Sequence, residues 1–227
     1  MAVFDRMDKA GEAVSTIITE GIAPAKLEII DKALVRAVDD FLKPGFPRDA
    51  ETVLLLEVDG YEVEVERQVE VIEEIFSEKA SNVQRAKNDA EMEKLWFAYC
   101  SGNGALGCIK PSYMVQDVIV PRHRPPEMLR FVSNISKKYN ITIVRMVHAG
   151  DGNLHPHILY EPDNPEEFEK VEKATREIFQ AALKMERTLT EGHGVGVEKP
   201  PFMEMQFNQQ DIYFMRRVKM ALALDLI

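Results

Sequence analysis

Apolar positions along this chain switch between a period near 3.6 and short β-branched runs, so helices and strands are predicted to alternate. Ala10, Ala13, Val14, Ile17 and Ile18 make a helical stripe, with Asp8 as the expected cap. Lys26–Asp31 reads as a strand, and a helix over Lys32–Leu42 stops before Pro44-Gly45. Residues 52–58 form a buried strand closed by Asp59-Gly60. Val65, Val69, Ile72 and Phe76 recur at helical spacing, and the acidic run over 62–74 suits the solvated side of that helix. A short strand at 81–85 and a helix through Trp96 complete the first cycle.

The second cycle opens with a strand over 113–120 and a helix over 126–139, then strands at 141–147 and 154–160. Asn164-Pro165-Glu166-Glu167 starts a long helix with a cap, a first-turn proline and two acids that favour the positive end of the dipole. Phe168, Val171, Ile178, Phe179 and Ala182 form its buried stripe, and a last helix covers 209–223. Two such cycles predict an α+β fold, an antiparallel sheet with helices packed on one face.

Composition narrows the function classes. The 227 residues, 45% hydrophobic and 29% charged, are enough for one large or two small domains with a substantial core. A net charge of −10 with no basic face argues against nucleic acid as a partner. No charged start precedes an apolar core, and no apolar run reaches the roughly 18 residues of a membrane span. A cytoplasmic protein with Cys100 and Cys108 as reduced thiols is expected. Neither a Gly-x-Gly-x-x-Gly turn nor a phosphate-binding loop is present.

The chemistry concentrates at Val147-His148-Ala149-Gly150-Asp151-Gly152-Asn153-Leu154-His155-Pro156-His157, which holds three of the five histidines. Gly150 and Gly152 allow a sharp reversal between two strands. His155 and His157 are two apart and face the same way, with His148 almost opposite on the outgoing strand. Convergent imidazoles suit a divalent transition metal, especially beside a carboxylate. Asp151 fits a turn former better than a ligand. In the second chemical stretch, Thr190-Glu191-Gly192-His193-Gly194-Val195-Gly196-Val197-Glu198-Lys199, the glycines leave Glu191, His193 and Lys199 presented on a loop. Glu191 would complete a two-histidine metal site, and His193 has the pKa of a general base near neutrality.

Together these stretches resemble the C-terminal region of FAD-linked oxidases of the glycolate oxidase flavoprotein and D-lactate dehydrogenase type, within the vanillyl-alcohol oxidase superfamily. Ala10-Gly11-Glu12-Ala13-Val14, Leu27-Glu28-Ile29-Ile30-Asp31, Glu57-Val58-Asp59-Gly60, Asp117-Val118-Ile119-Val120-Pro121 and the histidine hairpin fall in family order. The resemblance implies a ferredoxin-like duplication, with halves about 1–112 and 113–227 and the FAD-binding domain absent. It implies hydride transfer from a small 2-hydroxy acid such as glycolate or D-lactate to FAD bound mainly by that missing domain or subunit. It assigns His148 and His155 to a divalent metal (Zn, Mn or Fe), with Glu191 as third ligand, and His193 to the accepting base. His157, Asn153, Tyr99 and Lys199 become substrate contacts. An electron-transfer partner and a homo-oligomer are compatible with it.

Three positions depart from the family pattern. Gly192 stands where relatives place a glutamate beside the histidine, which is why Glu191 is the carboxylate expected. Tyr99 replaces an arginine that would pair with a substrate carboxylate. Residues 223–227 lack the Asn-Pro-Gly stretch of relatives. A catalytically incomplete module for binding or assembly, and a freestanding metallohydrolase, stay open as alternatives.

Overall fold

The computed structural model describes residues 1–222. Eight strands make one sheet: β1 (Ala2–Phe4), β2 (Lys26–Asp31), β3 (Thr52–Glu57), β4 (Asn82–Val83), β5 (Ser112–Val115), β6 (Val118–Ile119), β7 (Thr142–His148) and β8 (Asn153–Tyr160). Eight α-helices accompany them: α1 (Met7–Thr19), α2 (Lys32–Leu42), α3 (Glu62–Lys79), α4 (Asp89–Cys100), α5 (Gly102–Leu106), α6 (Pro125–Tyr139), α7 (Pro165–Lys184) and α8 (Gln209–Leu222). A 3-10 helix spans Pro200–Met205. The strand order is β4-β1-β3-β2-β7-β8-β5, with β6 also on β8, and every pairing is antiparallel. The first four strands thus run in the 4-1-3-2 order of a ferredoxin-like unit. In the second half β7 lies beside β8, and β5 and β6 both pair with the far side of β8, so β2 and β7 meet at a central seam.

Strand alternation builds two cores. Ile29, Leu54, Ile143, Val147, Leu154 and Ile158 point to the face covered by α1, α3, α6 and α7. Their neighbours Ile30, Val53, Leu55, Val144 and Leu159 point the other way, against α2, α4 and α5. The helices expected on one face are there, and the second face carries an additional, partial cover. That partial cover matters, because it leaves the β7–β8 hairpin end of the second face open to the site described below.

Several local expectations need correction. Asp8 does not cap α1; Arg6 holds that position without a side-chain bond, and Asp8 sits in the first turn. Phe168 is 36% exposed, because it lies near the solvated start of α7. The continuous strand expected over 113–120 is split at Gln116-Asp117, where the Asp117 side chain turns toward a distant loop. Asn164 caps α7 as expected, accepting from the Glu167 N–H at 3.1 Å. Residue 223 of the expected last helix, and the 223–227 stretch, lie outside the described residues.

Candidate functional site

Period-two alternation puts Glu28, His148, Asn153, His155 and His157 on the partly open face. Glu28 pairs with His148 and His148 with Asn153, so these three form one row across β2, β7 and β8. His155, opposite Met146, comes next on the same face. The hairpin tip is held close to the segment after β6: the Val120 N–H donates to the Gly152 carbonyl at 2.9 Å. Gly152 has φ +78°, and a Cβ there would fall 2.3 Å from the Val120 carbonyl oxygen. Only glycine meets both conditions.

The imidazoles cluster tightly. The rings of His148 and His155 are 4.9 Å apart, edge to face, and those of His155 and His193 are stacked at 4.7 Å. His148 Nδ1 lies 2.8 Å from both Glu28 carboxylate oxygens, and this bond raises the pKa of the imidazole above its ordinary value. A carboxylate on Nδ1 leaves Nε2 directed elsewhere, the arrangement by which proteins orient histidine ligands and bases. Burial holds His155 and His157 neutral, with pKa values pushed down to about 4.

Asp117, fully buried between β5 and β6, organises the glycine-rich loop. Its Oδ2 accepts from the Glu191 and His193 N–H groups at 2.8 and 3.0 Å, the Thr190 hydroxyl at 2.8 Å and the Lys199 ammonium at 3.4 Å. Burial works to raise this carboxyl, but those bonds outweigh it and hold it well below the usual carboxylate range. The same carboxylate therefore fixes the backbone that carries His193 over His155.

Four buried polar atoms here lack a partner: Asp117 Oδ1, Asn153 Oδ1, His155 Nδ1 and His157 Nε2. His157 Nδ1 is 2.8 Å from the His155 carbonyl, which only accepts, so Nδ1 carries the proton and Nε2 presents a lone pair. Three of the four orphans are thus acceptors, and such groups are normally satisfied. Their common complement is a cation or a hydroxyl donor. Asp117, His155 and His193 also place one ligand atom each within 4.8 Å of one another. Mixed imidazole and carboxylate donors suit Zn, Mn or Fe, so the residues present fit a divalent cation.

The other expected site residues fall nearby with different engagements. The Glu191 carboxylate accepts from Asn153 Nδ2 at 3.2 Å and is not in the close donor group; neither is His148. The Tyr99 hydroxyl donates to Glu28 at 2.7 Å, and burial beside that carboxylate raises its pKa. The Lys199 ammonium donates to Thr190 at 2.7 Å as well as to Asp117, and burial lowers its pKa. Sequence reasoning missed Asp117 and Glu28 as site residues. The available signal was an acid inside each of two apolar strand segments, Leu27–Ile30 and Val115–Val120.

The antiparallel sheet with its helices, bearing this histidine-carboxylate face, goes with the class of FAD-oxidase C-terminal domains. Residues 1–223 match the family model of FAD linked oxidases, C-terminal domain, and the chain belongs to that family. It is 36% identical over 222 residues to the glycolate oxidase subunit GlcD of Escherichia coli (strain K12), covering 97% of this chain and 44% of that protein. It is 39% identical to GlcD of Bacillus subtilis (strain 168), covering 97% and 47%, and 26% identical to the mitochondrial D-lactate dehydrogenase [cytochrome] of Arabidopsis thaliana, covering 95% and 38%. The chain thus spans less than half the length of these relatives. Among solved structures, 4-ethylphenol oxidase from Gulosibacter chungangensis superposes with a TM-score of 0.67 at 15% identity, over 97% of this chain and 50% of that one. p-Cresol methylhydroxylase does so at 0.62 and 12%, over 82% and 43%, and both share the fold. No helix among the described residues is long and apolar enough to cross a membrane.

Proposed function

We propose that this chain is the substrate-binding portion of an FAD-dependent oxidoreductase acting on small D-2-hydroxy acids such as glycolate or D-lactate. The observation that carries the reading is the cluster of His148, His155 and His193 around acceptor atoms that lack donors. In this reading His193 takes the substrate hydroxyl proton, held in place through its backbone by Asp117. Asn153 and His157 present acceptors to the substrate from β8. His155 and the Asp117 carboxylate, which lie in the close donor group, hold a divalent cation, with His148 beside them on the same face. A bound cation supplies Lewis acidity toward the hydroxyl and charge for the carboxylate, and FAD held by an N-terminal portion supplies the hydride acceptor. The chain's own residues bind, orient and deprotonate.

The test is reconstitution. Mixing this chain with the FAD-loaded N-terminal portion of Bacillus subtilis GlcD and D-lactate or glycolate is expected to bleach the flavin. His193→Asn is expected to slow bleaching by about 10²–10⁴-fold. No bleaching with either acid overturns the reading. A second reading, a module for binding or assembly, is favoured by one observation: the Tyr99 hydroxyl and Lys199 ammonium are already tied to Glu28, Asp117 and Thr190. A stable complex with the flavin portion but no bleaching would support it.

A further inference from the structure

Three elements converge on one imidazole. Glu28 on β2 and His148 on β7 are direct Cα partners in the sheet, on its partly open face. His148 Nδ1 lies 2.8 Å from each Glu28 oxygen. The Tyr99 hydroxyl, brought in by α4 from 71 positions along the chain, donates to Glu28 Oε2 at 2.7 Å. The Tyr99 ring is itself held edge to face by Trp96 at 5.9 Å, and the Lys26 ammonium covers Trp96 at 4.8 Å. An ionised carboxylate only accepts, so Tyr99 and Nδ1 are both donors. The neutral ring is then the Nδ1–H tautomer. Its Nε2 lone pair is left for the open face, where the His148 side chain is 40% exposed and its ring meets that of His155 at 4.9 Å. A bridge that served only to join β2 to β7 would need no tyrosine from a third element, since the backbone ladder and the Asp31–Arg145 pair already join those strands.

We propose that Glu28 and Tyr99 are positioning residues that together lock the tautomer and rotation of His148, so that Nε2 is presented as an acceptor beside His155. The catalytic consequence rests on the function proposed above, whereas the lock is a property of this chain alone. The two partners have distinct parts. Glu28 decides which ring nitrogen carries the proton. Tyr99 holds one carboxylate oxygen and stops the group from turning about its terminal torsion, which is broad for glutamate. Without that hold the carboxylate swings, and Nε2 loses its fixed direction. Tyr99 thus works at one remove from the substrate, its hydroxyl proton already engaged by Glu28.

Long-range proton–nitrogen correlation spectra of this chain at about pH 9, well above the ordinary histidine value, read each tautomer directly. Wild-type His148 is expected as Nδ1–H alone. Glu28→Leu should turn it mainly to Nε2–H, and Tyr99→Phe should bring in a minor Nε2–H population. His157, whose Nδ1 is held by the His155 carbonyl, should stay Nδ1–H in every variant, which shows that the sheet has kept its register. In the reconstituted flavin-bleaching reaction, Tyr99→Phe is expected to lower the rate at saturating acid by about 10–100-fold, with the half-saturating concentration unchanged. A substrate contact would move that concentration instead. Wild-type His148 in the Nε2–H form, variants with wild-type spectra, or a Tyr99→Phe change confined to the half-saturating concentration each overturns the inference. A lock that both variants loosen, in a chain that bleaches no flavin with either acid, sinks the functional reading and leaves the lock standing.

Discussion

Two histidines on β8 carry a pH dependence that the folded chain cannot avoid. An unfolded histidine titrates near pH 6.5, whereas His155 and His157 remain neutral to about pH 4 because burial opposes their charge. Between those values the unfolded chain binds protons that the folded chain refuses, so stability falls as pH drops. Each group contributes a loss of up to about 3 kcal/mol by pH 4. His148 acts in the opposite sense: its raised pKa adds stability below the unfolded value, lost as pH rises through the folded one. It is partly exposed, so the two buried rings dominate. Urea midpoints measured from pH 7 to 4 are expected to fall steeply, and His157→Gln should flatten the curve by about half of that loss. A flat wild-type profile would contradict the burial of these rings. At this scale the sequence showed which histidines share a face, because a strand's period is two. It did not show that Glu28, 120 positions from His148, would hold that ring.

At the scale of elements, local pattern was informative where one segment decides its own state. Lys26–Asp31 and Lys32–Leu42 lie where the apolar spacing puts them, and the Asn164 cap and Pro165 start α7. Strand 113–120 was misjudged because its break is set by a tertiary contact, the Asp117 carboxylate bonding to residues 190–199. Strand β1 and helix α5, three and five residues long, are too short for a periodic signal. The hairpin turn gives the prediction at this scale. Gly152→Ala puts a side chain at positive φ and against the Val120 carbonyl, and should cost about 2–4 kcal/mol. Thermal denaturation checks it. A loss near zero would mean that the hairpin tip moves freely away from β6.

For the whole molecule, the decisive contact is the seam between β2 and β7. Asp31 ends β2, caps α2 through the Leu34 N–H, and accepts from the backbone N–H and Nε of Arg145 on β7 at 3.0 Å each. One buried carboxylate therefore joins the two strand sets and starts a helix. Asp31→Ala leaves the guanidinium and two N–H groups without that partner and should cost about 3–5 kcal/mol. Wild-type unfolding is expected to be a single transition by both tryptophan fluorescence, from Trp96, and far-ultraviolet dichroism. In the variant the two probes should separate. Coincident transitions with an unchanged midpoint would show that the seam does not couple the strand sets.

The sequence by itself determined the state and order of the longer strands and helices and the shared face of the hairpin histidines, while the second helical cover of the sheet came only with the structure. The first two follow from side-chain periodicity and from glycine and proline at the turns, all of which act within a few residues. Only the tertiary structure decided which carboxylates serve the histidines, which side of the sheet stays open, and that α8 buries none of its described residues. Those outcomes depend on groups brought together across 70 to 120 positions of chain. No local spacing encodes such a meeting, because it is set by how the strands order themselves in the sheet.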